Sequence, residues 1–201
     1  MNKNVENVIN LDDHRRRLHV QVPIKVADTG SKPFLCQASD GELYWCKRPS
    51  SDHDVEAVVN EVVASIIGAE IDAPIRPWAI LDIPSDLVKT FVGEGENRYR
   101  LRKEPVFGSK LLHSAEVFRS AFAVDQDGNY DRFPKLLALW LLCNAEDIQM
   151  LYDFDADMQV WSIDHGFWFG SHETPWGLGD PTKTSGRPEL PALRTHISSV
   201  H

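Results

Sequence analysis

Two aspartates in the last third of the chain have a spacing that phosphate chemistry can use. Asp147 stands in the segment Asn144-Ala-Glu-Asp-Ile-Gln149, at the end of a helix-like pattern, and Asp164 closes a strand-like run just before Gly166. Phosphoryl transfer requires one acid near the acceptor hydroxyl and another on the magnesium ion that bridges the phosphates. The two aspartates therefore predict a site where a metal-bound phosphate could lie.

The turn between these acids is rich in aspartate, but it does not have the pattern of a calcium loop. Asp153, Asp155 and Asp157 take the first positions of such a loop, whereas Met158 stands where the loop requires glycine. Aspartate is also a common turn residue. We therefore expect an acidic hairpin turn and no calcium ion there.

A lysine and a glutamate earlier in the chain extend the candidate site. Lys47 ends a strand-like run, and Glu61 is predicted on the next helix, beside its apolar stripe. A strand lysine and a helix glutamate can meet, and such a pair aims the lysine at the α- and β-phosphates of a nucleotide. With Asp164 downstream, this order favours a phosphate-binding function over three unrelated surface groups.

The hydrophobic pattern predicts the elements that would position these residues. Two strands, 34–37 and 43–47, flank an Asp-Gly turn as in a hairpin. Valine and isoleucine then recur at helical spacing over 55–67, with capping residues at 51–54 and Gly68 as a stop. Further elements are predicted as strands at 22–26 and 78–83, and as helices at 115–123 and 133–143, the last apolar on nearly every side and so buried.

The composition disfavours several classes of partner. The net charge of −9 and the pI near 5.3 argue against a nucleic-acid or anionic-membrane surface. The three cysteines lie in apolar runs and are expected to be reduced core residues. The N-terminus lacks the apolar core of a signal peptide, and the apolar run 136–143 is too short to span a bilayer. We therefore expect a cytoplasmic protein that does not bind nucleic acid or membranes directly.

Several short motifs, taken in order, resemble those of the HipA-like kinases over roughly residues 20–170. The resemblance rests on five segments: Gly30 to Lys47, Asn60-Glu-Val-Val-Ala64, Ala73-Pro74, Phe107-Gly-Ser109 and Ile163-Asp-His-Gly166. It implies an α+β, bilobal, protein-kinase-like fold, with a sheet-rich amino lobe that contains one long helix and a reduced helical carboxyl lobe. The predicted divisions are a polar lead-in (1–20), a nucleotide-binding amino lobe (21–88), a connector (89–112) and a carboxyl lobe with catalytic loop and tail (113–201).

The resemblance also implies an activity and roles for individual residues. Members bind ATP with Mg²⁺ and transfer the γ-phosphoryl group to a protein Ser or Thr hydroxyl, often as the toxin half of a bacterial toxin–antitoxin pair. By this similarity Lys47 contacts the phosphates and Glu61 orients Lys47. Gly30 and Ser31 lie in the loop over the phosphates, and Asp164 binds the metal ion. An acceptor protein or an antitoxin-like protein is the implied partner.

The catalytic loop departs from the family pattern. That pattern is approximately Asn-x-Asp-Arg followed by a second Asn, whereas the segment 144–149 lacks both the Arg and the second Asn. Either Asp147 or Glu146 takes the catalytic position, and we assign Asp147. Gln149 can replace the missing Asn as a metal ligand through its amide oxygen, although its longer side chain changes the geometry.

Two other functions can be weighed against the sequence, and one of them is compatible with it. The altered loop favours a pseudokinase-like module that has kept the fold and binds a nucleotide or a partner protein without phosphoryl transfer. A metal-dependent nuclease is disfavoured, because the acids and the lysine lack the close spacing of such sites and the chain is acidic.

Overall fold

Ten strands and two α-helices build an α+β fold with a sheet-rich body in the computed structural model, which describes residues 17–49, 54–126, 128–171 and 190–192. The strands are β1 (Arg17–Val26), β2 (Phe34–Ala38), β3 (Leu43–Lys47), β4 (Trp78–Asp82), β5 (Phe91–Val92), β6 (Tyr99–Arg100), β7 (Val106–Lys110), β8 (Ala115–Phe118), β9 (Gln149–Asp153) and β10 (Gln159–Ile163). The helices are α1 (Asp54–Glu70) and α2 (Asn129–Leu142). Within the described ranges no helix has the length and apolar character needed to cross a membrane.

Five strands form a closed barrel in the order β1-β2-β3-β7-β4. The predicted hairpin of β2 and β3 is confirmed, and a parallel pairing of β1 with β4 closes the barrel. Alternate side chains point inward and make an apolar core, as strand geometry requires. That core includes Val20, Phe34, Cys36, Ala38, Tyr44, Cys46, Ala79, Leu81 and Val106.

Strand β7 lies within the predicted connector, yet it fills the gap between β3 and β4 and pairs antiparallel with both. Its central residue, Gly108, has a steric role, because a Cβ atom there would come within 2.3 Å of Leu81 Cδ1. A glycine in the middle of a strand often marks such a close approach. Strand β1 likewise begins at Arg17, so it includes the last residues of the predicted lead-in.

A second sheet, in the order β10-β9-β8, packs with α2 around a separate core. Strands β9 and β10 form the predicted acidic hairpin, which is confirmed, with a short 3₁₀ turn at Phe154–Ala156. The predicted helix over 115–123 is wrong, because residues 115–118 form β8 and pair with β9. Pairing with a neighbouring strand has overridden the local helical pattern.

Helix α1 differs from its predicted packing. Its buried face is polar and small, including Asn60, Glu61 and Ser65, whereas Val55 and Val59 are exposed. The prediction that α1 packs through its apolar stripe is therefore wrong, and Glu61, beside that stripe, lies on the face that is packed. The helix also continues past Gly68, whose missing side chain makes room for Ile75, since a Cβ atom would come within 2.2 Å of Ile75 Cγ1.

Helix α2 is buried on one side only. It begins at Asn129, earlier than predicted, and buries Leu136 and Trp140 while Leu141 and Leu142 are exposed. The prediction of burial on nearly every side is therefore wrong. The predicted capping residues 51–53, most of the lead-in and most of the tail lie outside the described residues.

Candidate functional site

A cleft of about 730 Å³ opens between the barrel and the second sheet. Its walls come from β3 and β7 of the barrel, from α1, and from β9 and β10. A volume of this size suits a small-molecule ligand. The structure brings all of the predicted site residues to its wall: Gly30, Ser31, Lys47, Glu61, Asp147, Gln149 and Asp164.

At the inner part of the cleft, Lys47 and Glu61 form an ion pair. Lys47 Nζ also lies 2.5 Å from Asp164 Oδ1, so this lysine joins β3, α1 and the end of β10. Glu61 Oε1 accepts a hydrogen bond from the backbone N–H of His165 at 3.1 Å. His165 Nδ1 lies 3.0 Å from Glu61 Oε2 without the alignment of a hydrogen bond, and its Nε2 is 3.1 Å from Ser162 Oγ.

Electrostatics favour the charged form of both members of this pair. Burial raises the pKa of the Glu61 carboxyl, but the Lys47 ammonium and His165 outweigh burial and bring that pKa to about 2. Burial lowers the pKa of Lys47, yet the carboxylates of Glu61 and Asp164 raise it above the ordinary value. A buried charge is tolerated when it is paired and hydrogen-bonded in this way. The cleft therefore holds a fixed cation with two carboxylates beside it.

At the outer part of the cleft, Arg119 holds Asp147. Its Nη1 contacts Asp147 Oδ1 and its Nη2 lies 3.2 Å from Oδ2, which is a fork-like contact with both carboxylate oxygens. Gln149 connects this contact to the inner pair, because its Nε2 donates to Asp147 Oδ2 and to Asp164 Oδ2, both at 3.0 Å. One hydrogen-bonded chain thus runs from Arg119 to Glu61.

The backbone at both acids is unusual. Asp147 and Asp164 have φ angles of 50° and 60°, in the left-handed region that side chains other than Gly, Asn and Asp rarely adopt. A hydrogen-bonded anchor holds the turn that follows Asp164.

That anchor is Asn60, which precedes Glu61 on α1. Its Nδ2 lies 2.8 Å from Gly166 O, 3.1 Å from Trp168 O and 2.8 Å from Ser171 Oγ. These bonds fasten the turn that follows Asp164 to the helix that carries Glu61. In the sequence, Asn60 stands out only as part of a motif, and its position next to Glu61 was the available signal for a role.

Two arginines of the cleft wall are absent from the sequence prediction. Arg119 stands outside every motif, and its link to Asp147 depends on the pairing of β8 with β9. Arg76 is 5% exposed, donates from Nη2 to Lys110 O at 2.5 Å, and has its guanidinium 5.1 Å from the Trp161 ring. Burial lowers the pKa of Arg76 to about 10. Neither residue has a sequence pattern that would have identified it.

The donors near Gln149 fit a hard cation. In the described ranges no cluster of three or more His, Cys, Asp and Glu side chains could hold a metal ion alone. Mg²⁺ needs no such cluster, since it is usually held by one or two carboxylates together with substrate phosphates and water. Asp164 would provide a carboxylate, and Gln149 would provide an amide oxygen if its amide group turned over. A strand lysine, a helix glutamate and such acids are the residues with which kinases bind nucleotide phosphates.

Comparison with known proteins agrees with this class of site. A sequence model of the family described as HipA-like kinase matches residues 20–132, which is more than half of the chain. The chain belongs to the HipA-like kinase family. Neither the curated proteins nor the solved structures gave a significant match. The family match includes Lys47 and Glu61 and ends before Asp147, Gln149 and Asp164. The roles of all these residues stay predictions.

Proposed function

We propose that this protein is an ATP-dependent kinase that transfers the γ-phosphoryl group to a Ser or Thr hydroxyl of a protein. The observation that carries the proposal is the meeting of Lys47, Glu61 and Asp164 in one cleft, although the three residues come from β3, α1 and the end of β10. Active kinases need the lysine–glutamate pair and the metal-binding aspartate in place together. In this proposal the barrel side is the amino lobe, and the side formed by β8–β10 and α2 is the carboxyl lobe of a bilobal fold.

The roles of the inner residues follow from their charges. Lys47 offsets the negative charge of the α- and β-phosphates, and Glu61 keeps its ammonium group aimed into the cleft. Gly30 and Ser31, at the cleft wall, cover the phosphates from the turn between β1 and β2. Asp164 and Gln149 would hold Mg²⁺, which neutralises phosphate charge when it is bound.

Asp147 takes the acceptor side of the reaction. Its carboxylate orients the Ser or Thr hydroxyl and accepts the hydroxyl proton as the oxygen attacks the γ-phosphorus, while the bond from that phosphorus to the ADP oxygen breaks. In the structure both oxygens of Asp147 are engaged by Arg119 and Gln149. The acceptor hydroxyl must therefore replace one of these contacts.

The setting of the reaction belongs to the same proposal. The acceptor is a protein, and an antitoxin-like protein is a second partner if the chain is the toxin of a bacterial pair. The acidic net charge of −9 disfavours direct contact with nucleic acid or an anionic membrane. The three free, buried cysteines support a cytoplasmic setting. The divisions 21–88, 89–112 and 113–201 are retained as working boundaries, with β7 assigned to the barrel.

A second function, a nucleotide- or partner-binding module without catalysis, is favoured by one observation. Asp147 is neutralised by Arg119, and Gln149 turns its N–H₂ group toward both acids where a metal ligand would turn its oxygen. This arrangement suits binding better than transfer.

Two measurements on the same proteins separate these functions. The first is the thermal shift caused by ATP with and without Mg²⁺, for wild type, Asp164→Ala, Asp147→Ala and the control Asp155→Ala, whose exposed side chain lies outside the cleft. The second is transfer of labelled γ-phosphate to protein. Magnesium-dependent binding that needs Asp164, with transfer that needs Asp147, supports the kinase. Binding without transfer supports the module. The absence of ATP binding refutes the kinase and the nucleotide-binding form of the module.

A further inference from the structure

The charged groups of the cleft form a row that has one cation near each end. Near the inner end, Lys47 stands between Glu61 and Asp164. Arg119 stands at the outer end, with Asp147. The amide of Gln149 spans the gap between the two aspartates at 3.0 Å from each. A chain of phosphates laid along this row would meet positive charge at both of its ends.

The other two cations of the cleft wall are engaged elsewhere. Lys110 Nζ lies 2.9 Å from Glu42, and Arg76 is buried with one nitrogen on a backbone carbonyl. Arg119 differs from both, because 66% of its side chain is exposed and its partner is one of the proposed catalytic residues. Among the cations that line the described cleft, it is the one placed to meet a phosphate beside Asp147.

The contact of Arg119 with Asp147 can be exchanged. An exposed ion pair contributes little to stability, because water screens it and both side chains must be ordered. A guanidinium bound to a phosphate makes the same forked contact with a group of higher charge. A terminal phosphate that enters the outer cleft therefore competes well for Arg119.

We infer that Arg119 binds the terminal phosphate of a nucleoside triphosphate and, in doing so, releases Asp147. This inference rests on the proposed nucleotide-binding function. It gives the cleft an arginine that the segment 144–149 lacks, supplied from the end of β8. It also couples two events, since the γ-phosphate that binds the guanidinium frees the carboxylate of Asp147 from Arg119 and makes it available to a hydroxyl.

A consequence is selectivity for the triphosphate over the diphosphate. The α- and β-phosphates are common to ATP and ADP and lie at the Lys47 end of the row. The γ-phosphate alone reaches the Arg119 end. Removing the guanidinium should therefore weaken the binding of ATP and leave the binding of ADP nearly unchanged. A merely structural role would affect the binding of the two nucleotides equally.

The test is calorimetric titration of ATP and of ADP, each with Mg²⁺, into wild type, Arg119→Gln, Arg119→Lys and Arg17→Gln. Arg17 is a matched control, because it is 62% exposed and pairs with an aspartate outside the cleft. We expect Arg119→Gln to weaken the affinity for ATP about tenfold or more, which is the size of one charge-assisted contact. Its affinity for ADP should stay within about twofold of the wild-type value. Arg119→Lys should lie between wild type and Arg119→Gln, since lysine keeps the charge but not the fork.

Other outcomes overturn the inference in distinguishable ways. Equal weakening of ATP and ADP by Arg119→Gln, or no weakening of either, removes Arg119 from the phosphate site and leaves the nucleotide-binding function intact. A wild-type protein that binds neither nucleotide overturns that function and this inference together. A loss of ATP affinity in Arg17→Gln as large as that in Arg119→Gln assigns the effect to general surface charge.

Discussion

The two ion pairs of the cleft have the same charges and opposite environments. At the inner end the Glu61 side chain is 2% exposed and its partner Lys47 is 21% exposed. At the outer end Arg119 and Asp147 are 66% and 35% exposed. A buried carboxylate needs its partners permanently, whereas an exposed pair can separate at little cost because water replaces each contact. The inner pair is thus built as a fixed support, and the outer pair as a contact that a ligand can replace.

The substitution Glu61→Gln should give the largest effect. It leaves the Lys47 ammonium with Asp164 as its one remaining carboxylate and removes the charge that faces His165. Breaking a buried pair from one side lowers the free energy of unfolding by about 3 kcal/mol. Urea unfolding measures this loss, with Glu116→Gln on exposed β8 as the control. Equal stability of the two variants would show that Glu61 is not a support.

The pH dependence of stability should identify the same carboxyl. Glutamate has an ordinary pKa of 4.5, and folding lowers that of Glu61 to about 2. A carboxyl with a lowered pKa stabilises the folded state above pH 4.5, and this contribution is lost as the pH falls toward 2. The difference in unfolding free energy between wild type and Glu61→Gln should therefore narrow below pH 4.5. A difference in unfolding free energy that stays constant from about pH 7 to about pH 3 would contradict the assignment.

The substitution Asn60→Ala should have an intermediate effect on stability. It tests the backbone contacts that hold the inner end of the cleft. It removes the amide that holds Gly166 O and Trp168 O, which are left without that donor. We expect a loss of about 1–3 kcal/mol in unfolding free energy, together with weaker Mg²⁺-dependent nucleotide binding because the Asp164 turn loosens. Asn97→Ala, which removes an exposed amide contact to Asp28, is the control. Unchanged nucleotide affinity in a destabilised Asn60→Ala protein would restrict this residue to folding.

The smallest effect on stability should come from the outer pair. Asp147→Asn removes one charge from an exposed contact, so the free energy of unfolding should change by less than about 1 kcal/mol. Phosphoryl transfer, in contrast, should be lost. Measuring unfolding and transfer on the same preparation shows whether stability and function separate at this end of the cleft. A loss of stability as large as that of Glu61→Gln would abolish the contrast between the two pairs.

Much of the site was predictable because its residues are local to recognisable elements. Lys47 closes a strand that the Asp-Gly turn identifies, and Asp164 closes a strand that the acidic turn identifies. The HipA-like resemblance added the order of the motifs, and the family match confirms it over residues 20–132. The local sequence patterns and the family resemblance thus identified these residues of the site.

The contacts of Arg119 and the face of α1 were not predictable in the same way. Hydrophobic periodicity assumes that the apolar stripe is buried, but α1 buries Asn60 and Glu61 because they bond to groups more than 100 residues away in the chain. Helix and strand are also ambiguous in short segments such as 115–118, where a distant partner strand decides. Polar contacts between residues that are distant in the chain produce no periodic pattern in the sequence.

The strand order of the barrel has a consequence for synthesis of the chain. Strand β7 is made after β3 and β4, yet it lies between them, and it ends at Lys110. Until residues 106–110 have been synthesised and have left the ribosome, β3 and β4 each lack the neighbour that will cover one of their edges. Uncovered strand edges are the places where nascent chains pair with one another. While the segment between β4 and β7 is being made, β3 and β4 therefore each have an edge that is open to pairing with another chain.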